Sequence, residues 1–471
     1  MIMSQKPNVI IIHTDEHNLR TLGCYRDLMT EDQAFQFGKD VKVDTPNIDF
    51  LAKNGCLFNN FITPFPICQP SRATFFTGRH YDNVINAGTE WQSQHLKSNK
   101  KTFAHFFKNA GYSTNYVGKW HLNGMNSPDW GTSPNFGFDH NRYMYNRGHF
   151  KIIKETGDNI STSDWDLDLA NDENYTTDWL SNKAIEIIKS NKTKPFLLTL
   201  CIPDPHDPNV VREPYNSMFN DLVFDLPRTM KKSVNKPMDQ PLWVKNGERA
   251  NKWLPESIKK YFGMVKCIDD NVGKIISCLK NINLLDNTIL VFTSDHGDLL
   301  YEHRFINKSL PYDCSIRVPM IIYYPNKISS KVVNTPHSMP DFAPTILDLC
   351  GVHYQKQSFH GSSFSSDILC SDKTIERDRI VYSRNWNWIA IIKNSLKLVV
   401  SIDDDPWLFD QKVDPDELIN FYGTNAYKEH IKEMTTEGYI QLNEYESDYA
   451  KSSELGNKLQ HLYNLHEKEK N

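Results

Sequence analysis

Cys68-Gln69-Pro70-Ser71-Arg72, with Thr77-Gly78-Arg79 following at a set distance, puts a nucleophile beside a fixed cation. Pro70 has no N–H and suits a first helical turn, and Gly78 suits the position just past a helix end. The spacing predicts a short helix over Ser71–Thr77 with Cys68 at its N-terminus, where unpaired backbone N–H groups face an anion. Arg72, in the first turn, adds a permanently charged fork of donors. A nucleophile and an oxyanion can share that corner. The bland alternative is a buried cysteine beside a proline-started helix.

Four further stretches carry chemistry-bearing side chains directly after apolar runs. Ile10–Ile12 leads into His13-Thr14-Asp15-Glu16-His17, and Tyr116-Val117 into Gly118-Lys119-Trp120-His121. Leu198–Ile202 leads into Asp204-Pro205-His206-Asp207-Pro208, and Val291-Phe292 into Thr293-Ser294-Asp295-His296-Gly297-Asp298. In open α/β sheets ligands bind beyond the carboxyl ends of the strands. Taken singly, Arg72, Lys119 and Lys308 read as solvated charges, and His121 and His206 as hydrogen-bonded structural histidines. As a set on strand ends they predict one convergent site.

The run C-x-P-S-R-x-x-x-x-T-G-R resembles the signature of type I sulfatases, the formylglycine-dependent family of the alkaline phosphatase superfamily, and the chain looks like a bacterial carbohydrate sulfatase. The likeness covers most of residues 7 to 350 and, more loosely, the tail to Asn420. It implies that a formylglycine-generating maturation enzyme oxidises Cys68, and that the aldehyde hydrate attacks sulfur. It further implies one divalent cation held by Asp15, Glu16, Cys68, Asp295 and His296. Asp295 also helps orient or deprotonate the nucleophile. By the same resemblance Arg72 and Lys119 hold the hydrate, and Lys119 with Lys308 binds sulfate oxygens. His206 is the general acid toward the bridging oxygen, and His121 the base that expels sulfate. Two positions depart from the family pattern. Glu16 replaces a second aspartate, and His296 stands where an amide is common. Carboxylates favour Ca²⁺, the first choice here, while imidazole admits Mn²⁺ or Zn²⁺. His13 and His17 read as surface or flanking histidines rather than ligands.

These residues need an α/β scaffold. Val9–Ile12, Asn115–Val117, Phe196–Ile202, Ile289–Phe292 and Met320–Tyr324 are continuous apolar runs, the mark of parallel strands buried on both faces. Helical repeats lie between them, through Phe103–Ala110, Leu180–Ile188 and Ile258–Leu279. The expected fold is a large mixed, mostly parallel sheet sandwiched by helices, alkaline phosphatase-like, over residues 1–375. A smaller C-terminal subdomain, 376–471, is expected to carry a short antiparallel sheet (Arg379–Tyr382, Trp388–Lys393, Leu396–Ser401) and a polar helical tail. Leu408-Phe409-Asp410 and Asp414-Pro415-Asp416-Glu417 resemble a stretch of the sulfatase C-terminal subdomain.

At 471 residues the chain exceeds one small core, and its net charge of -5 does not suggest a general nucleic-acid binder. No run of about 18 apolar residues is present, so no membrane span is expected. The sequence as it stands reads as cytoplasmic, or periplasmic if a signal peptide has been removed. Nine scattered cysteines without a C-x-x-C pair indicate neither a disulfide framework nor a zinc knuckle.

The long polar, aromatic stretches Met125–Asn174 and Pro208–Pro255 are expected to line a mouth for a sulfated carbohydrate. Their aromatic rings include Trp130, Phe136, Phe138, Tyr145 and Trp165. Their cations include Arg142, Lys151, Arg212, Arg228, Lys231, Lys232, Lys236 and Lys245. Core aromatics and solvated charges are the nearly level alternative. Two competing functions stay open: a phosphonate monoester or phosphodiester hydrolase of the same superfamily, and a catalytically inactive sulfoglycan-binding protein.

Overall fold

The computed structural model describes residues 6–86, 93–163, 167–230, 240–250 and 252–468. Trp165, Lys231, Lys232 and Lys236 lie outside them. The large sheet has nine strands: β1 (Asn8–Asp15), β2 (Cys56–Phe58), β3 (Ser113–Lys119), β4 (His140–Tyr145), β5 (Phe196–Pro205), β6 (Thr288–Ser294), β7 (Met320–Tyr323), β8 (Lys331–Val333) and β9 (Thr374–Ile375). Their spatial order is β9-β8-β2-β7-β6-β1-β5-β3-β4. Strand β1 lies at the centre, parallel to β6 and to β5. Alternate side chains of β1 feed two cores, as strand pleating requires. Ile10 and Ile12 join helices α1 (Pro46–Lys53), α4 (Thr176–Ser190) and α5 (Pro255–Asn281). Val9 and Ile11 join α2 (Cys68–Thr77), α3 (Phe103–Asn109) and α6 (Phe342–Leu349) on the other face.

Strand β7 runs antiparallel to both neighbours, β6 and β2, rather than parallel as its apolar run suggests. A parallel return needs a crossover to the opposite end of the sheet. The chain from Asp295 to Val318 instead stays at the carboxyl end of β6, building the site, and then descends. The stretch 125–174 is not a plain interruption either. It contributes edge strand β4, parallel to β3, and a hairpin of Ile152–Thr156 with Asn159–Ser163.

The second sheet has four antiparallel strands, one more than the sequence suggests: β10 (Ile380–Arg384), β11 (Trp388–Lys393), β12 (Leu396–Ser401) and β13 (Trp407–Asp410). One face packs on α7 (Lys428–Tyr445) and α8 (Glu454–Lys468) through Ile389, Ile391, Leu398, Met434 and Leu459. The other packs on the loops after β6 through Trp388, Phe409, Tyr312 and Leu299. Buried ion pairs fasten it: Lys397 meets Asp313 at 2.8 Å and also Glu417, whose Oε2 accepts the Asp313 N–H at 2.9 Å. No described helix is long and apolar enough to cross a membrane.

Candidate active site

The carboxyl ends of β6, β1, β5 and β3 are adjacent in the sheet, and the N-terminus of α2 faces them. Helix α2 begins at Cys68, earlier than its proline suggests, because the first turn donates no intrahelical bonds and tolerates Pro70 at its third residue. Every residue of α2 is buried. The Thr77-Gly78-Arg79 end serves structure. Gly78 closes the helix at φ 64°, and a Cβ there would lie 2.5 Å from Phe359. Arg79 Nε donates to the Ser358 carbonyl at 2.8 Å.

Arg72 is the hub of the floor. Its Nε donates to Asp295 Oδ2 at 2.9 Å, its Nη2 to Asp15 Oδ2 at 3.0 Å, and its Nη1 to the Lys119 carbonyl at 2.9 Å, all fully buried. Lys119 Nζ makes a short ion pair with Asp15 Oδ2. Gly118, at φ 102°, lets β3 close on β5 just before this lysine, because a Cβ would collide with the Cys201 carbonyl.

Asp15, Cys68, Asp295 and His296 converge as a four-donor group, with no donor pair more than 4.8 Å apart. Cys68 Sγ lies 3.1 Å from His296 Nε2 and 3.6 Å from Asp15 Oδ1. His296 Nδ1 lies 2.9 Å from the Gly297 carbonyl, which leaves Nε2 turned toward the two carboxylates. That is the arrangement of a metal-binding imidazole, and its Nε2 lies 3.9 and 3.7 Å from Asp15 Oδ1 and Asp295 Oδ1, the oxygens that Arg72 does not take. Burial depresses the basicity of His296, yet Asp295 and Cys68 outweigh it and lift its pKa to about 9. Burial and Asp15 push the Cys68 thiol up, but Lys308, His296 and Lys119 prevail and hold it well below its ordinary value.

Glu16 follows Asp15 at φ 61°, a left-handed turn that sends the two adjacent carboxylates different ways. Its N–H donates to Asp295 Oδ1 at 3.0 Å. Its Oε2 meets Lys308 Nζ at 2.8 Å and His206 Nε2 at 3.0 Å, and it stands outside the four-donor group. Its Oε1 is buried without a hydrogen-bond partner, an oxygen that a cation would satisfy.

The two histidines diverge in charge. Burial, with Lys119 beside it, drops His121 to about 4, so it is neutral, and its buried Nδ1 has no hydrogen-bond partner. For His206, burial and Lys308 oppose protonation, but Glu16 and Asp207 overcome them and raise it to about 10. A neutral imidazole and an imidazolium therefore flank Cys68, the separation in which a base and an acid differ. Beneath His206, Asp204 is fully buried and bound by Lys151 Nζ, Tyr175 OH and Thr177 Oγ1, each at 2.6 Å.

Sequence reasoning missed His149. Its ring stacks on His206, centroids 3.8 Å apart and planes 9° apart, and its Nε2 lies 2.6 Å from Lys119 Nζ. It falls in a segment that reads as a polar interruption, and no spacing marks it. His13 and His17 are fully buried, not at the surface. His17 bonds Thr14 and Thr21 at 3.2 and 3.1 Å, and His13 packs between Phe75 and Phe76.

The expected carbohydrate-facing set is mostly committed elsewhere. Phe136, Phe138 and Tyr145 belong to the core. Arg142 pairs with Glu155 and Asp158, Arg212 with Asp178, Arg228 with Asp32 and Asp416, and Lys245 with Asp403.

Residues 7–352 match the family model described as Sulfatase, and residues 301–444 match N-sulphoglucosamine sulphohydrolase, C-terminal. A curated relative, the N-acetylglucosamine-6-O-sulfatase of Bacteroides thetaiotaomicron, is 26% identical, covering 92% of this chain and 85% of the relative. A solved structure in complex with its substrate D-glucosamine-2-N,6-O-disulfate superposes with a TM-score of 0.73 at 23% identity, covering 95% and 100% of the two chains. The phosphonate monoester hydrolase of Silicibacter pomeroyi shares the fold at a TM-score of 0.69 and 19% identity, covering 95% and 97%.

Proposed function

The chain belongs to the sulfatase family, and on that premise we propose that its substrate is a sulfated saccharide, an oligosaccharide of a sulfated polysaccharide. We propose further that the nucleophile is an aldehyde hydrate made from Cys68 by a separate maturation enzyme. The observation that carries this reading is the convergence on Cys68 of buried cations, a four-donor group and two histidines, one neutral and one protonated.

Asp15, Asp295, His296 and an oxygen of the matured residue 68 would hold a divalent cation, for which we propose Ca²⁺, with Glu16 Oε1 beside it. When bound, it neutralises charge on the sulfate oxygens. Lys119 and Lys308, each paired with a carboxylate in the floor, would bind the sulfate oxygens. His206, protonated at neutral pH, gives its proton to the bridging oxygen as the S–O bond breaks and the alcohol leaves. His121, neutral, takes a proton from residue 68 so that sulfate can depart and the aldehyde return. Asp204 acts through His206 by fixing the loop that carries it.

The test pairs two measurements on one preparation. Peptide mass spectrometry is expected to show the aldehyde at residue 68, and sulfate release from a panel of sulfated saccharides is expected to be lost in Cys68→Ala. Phosphonate monoesters and phosphodiesters run beside the panel. Full activity in Cys68→Ala, or faster turnover of a phosphonate than of every sulfate ester, overturns the reading.

A further inference from the structure

The turn joining β10 to β11 reaches from the second sheet to the mouth of the site, and it is tied down on both sides. Arg384 N–H donates to the Pro64 carbonyl at 2.9 Å, and its guanidinium lies 5.4 Å from the Phe65 ring centroid. Asn385 Nδ2 and Trp388 Nε1 both donate to the Ser309 carbonyl, at 3.2 and 3.1 Å. Pro64 and Phe65 lead into Cys68, and Ser309 follows Lys308 directly. The turn also closes on itself: the Asn385 side-chain oxygen accepts the N–H groups of Asn387 and Trp388 at 2.7 and 3.0 Å.

On this anchored turn Asn385 and Trp388 are buried, whereas Trp386 is 39% exposed. Its ring meets Phe65 edge-on at 5.0 Å and 69°, so its position is set while part of its surface stays open. A single exposed ring is ordinary by itself, but an indole held on a rigid support offers an apolar face that a ligand can cover with little ordering cost.

We infer that Trp386 is a specificity-determining residue, the platform on which the sugar ring of the leaving alcohol stacks. The inference rests on the carbohydrate reading above and adds to it a residue that the sulfate chemistry does not use. Two observations point to this occupant. The anchor on Ser309 places the turn beside Lys308, whose Nζ touches His206 at 2.7 Å, so it stands where the alcohol departs. And among the described rings expected to face the sugar, Phe136, Phe138 and Tyr145 are buried in the core, and Trp130 is half-buried and packed against it. The C–H face of a pyranose is apolar and matches a π face, while its hydroxyls remain in water.

Steady-state kinetics on the matured full chain, with the fastest substrate of a sulfated mono- and oligosaccharide panel, tests the assignment. Trp386→Ala is expected to raise KM about tenfold, equivalent to about 1.4 kcal/mol, with kcat within about threefold. Trp386→Phe is expected to recover most of the loss. Inorganic sulfate, which fills only the sulfate pocket, is expected to inhibit all three proteins with the same constant. An unchanged KM in Trp386→Ala overturns the inference and leaves the carbohydrate reading standing. A sulfate constant that rises in step with KM also overturns it, because the turn would then be holding Lys308 rather than a sugar. If the wild type releases no sulfate from any saccharide, the carbohydrate reading fails and the platform with it.

Discussion

The floor and the rim of this site are built in opposite ways. On the floor, Asp15, Arg72, Lys119, Asp295 and His296 are fully buried, and Arg72 and Lys119 are locked to carboxylates. On the rim, His149 and His206 keep side-chain exposures of 24% and 13%, and Trp386 is 39% exposed. Floor residues leave the ends of neighbouring strands or the second turn of α2. Rim residues come from the 140s, the turn after β5, and a hairpin in a different sheet. A charge cluster out of water needs every partner in place, so the floor tolerates little variation. The rim has water as an alternative partner, and substrate preference can change there without unmaking the chemistry.

The sharpest way to break this comparison is Arg72→Ala. It leaves Asp15 and Asp295 buried without their shared partner, which costs about 3–5 kcal/mol of stability. Urea unfolding is expected to show a lower midpoint, with sulfate release abolished; an unchanged midpoint would mean that the floor is not one coupled network. Removal of the proposed acid on the rim is expected to cost rate and leave stability nearly alone. His206→Ala is expected to slow saccharide sulfates by about 10²–10⁴. Activated aryl sulfates, whose leaving groups need little protonation, are expected to lose much less. Equal losses for both substrate types would remove His206 from the acid role.

The smallest effect joins the two regions. Glu16 leaves the floor to touch His206 and is a principal reason the imidazolium persists to about 10. The protonated acid is present below that value and lost above it, so kcat/KM is expected to fall as pH rises through the alkaline limb. In Glu16→Gln that limb is expected to move to lower pH with a modest loss at neutrality. A pH–rate profile with an unmoved limb would uncouple floor from rim.

What could be read from the sequence follows the same division. Cys68, Lys119, His121, His206, Asp295 and His296 each follow an apolar run or open a helix, and Arg72 lies one turn on from Cys68, so local pattern alone marks where they stand. The long helix through Ile258–Leu279 and the strand ends were legible for the same reason. His149 and Trp386 were not, because tertiary contacts place them: one stacks on a residue 57 positions later, the other leans on a residue 321 positions earlier. Strand β7 was legible as a strand but not in its direction, since an apolar run carries no sign. The aromatics of 125–174 were misjudged because rings that stack on sugars and rings that fill a core have the same composition.

The place of β1 also sets a clock. Its Asn8 pairs with Thr288, so the central strand has no partner on its β6 side until some 280 further residues have been made. At about 5–20 residues per second that wait is roughly a quarter of a minute to a minute of synthesis. Throughout it the Val9–Ile12 edge lies open, a hazard for self-association that a chaperone would need to cover. Once the chain has folded, every residue from Cys68 to Thr77 is sealed. If residue 68 is matured as proposed, the enzyme that does it must act before the helix closes, and the order in which the chain is assembled then decides whether the finished molecule is active.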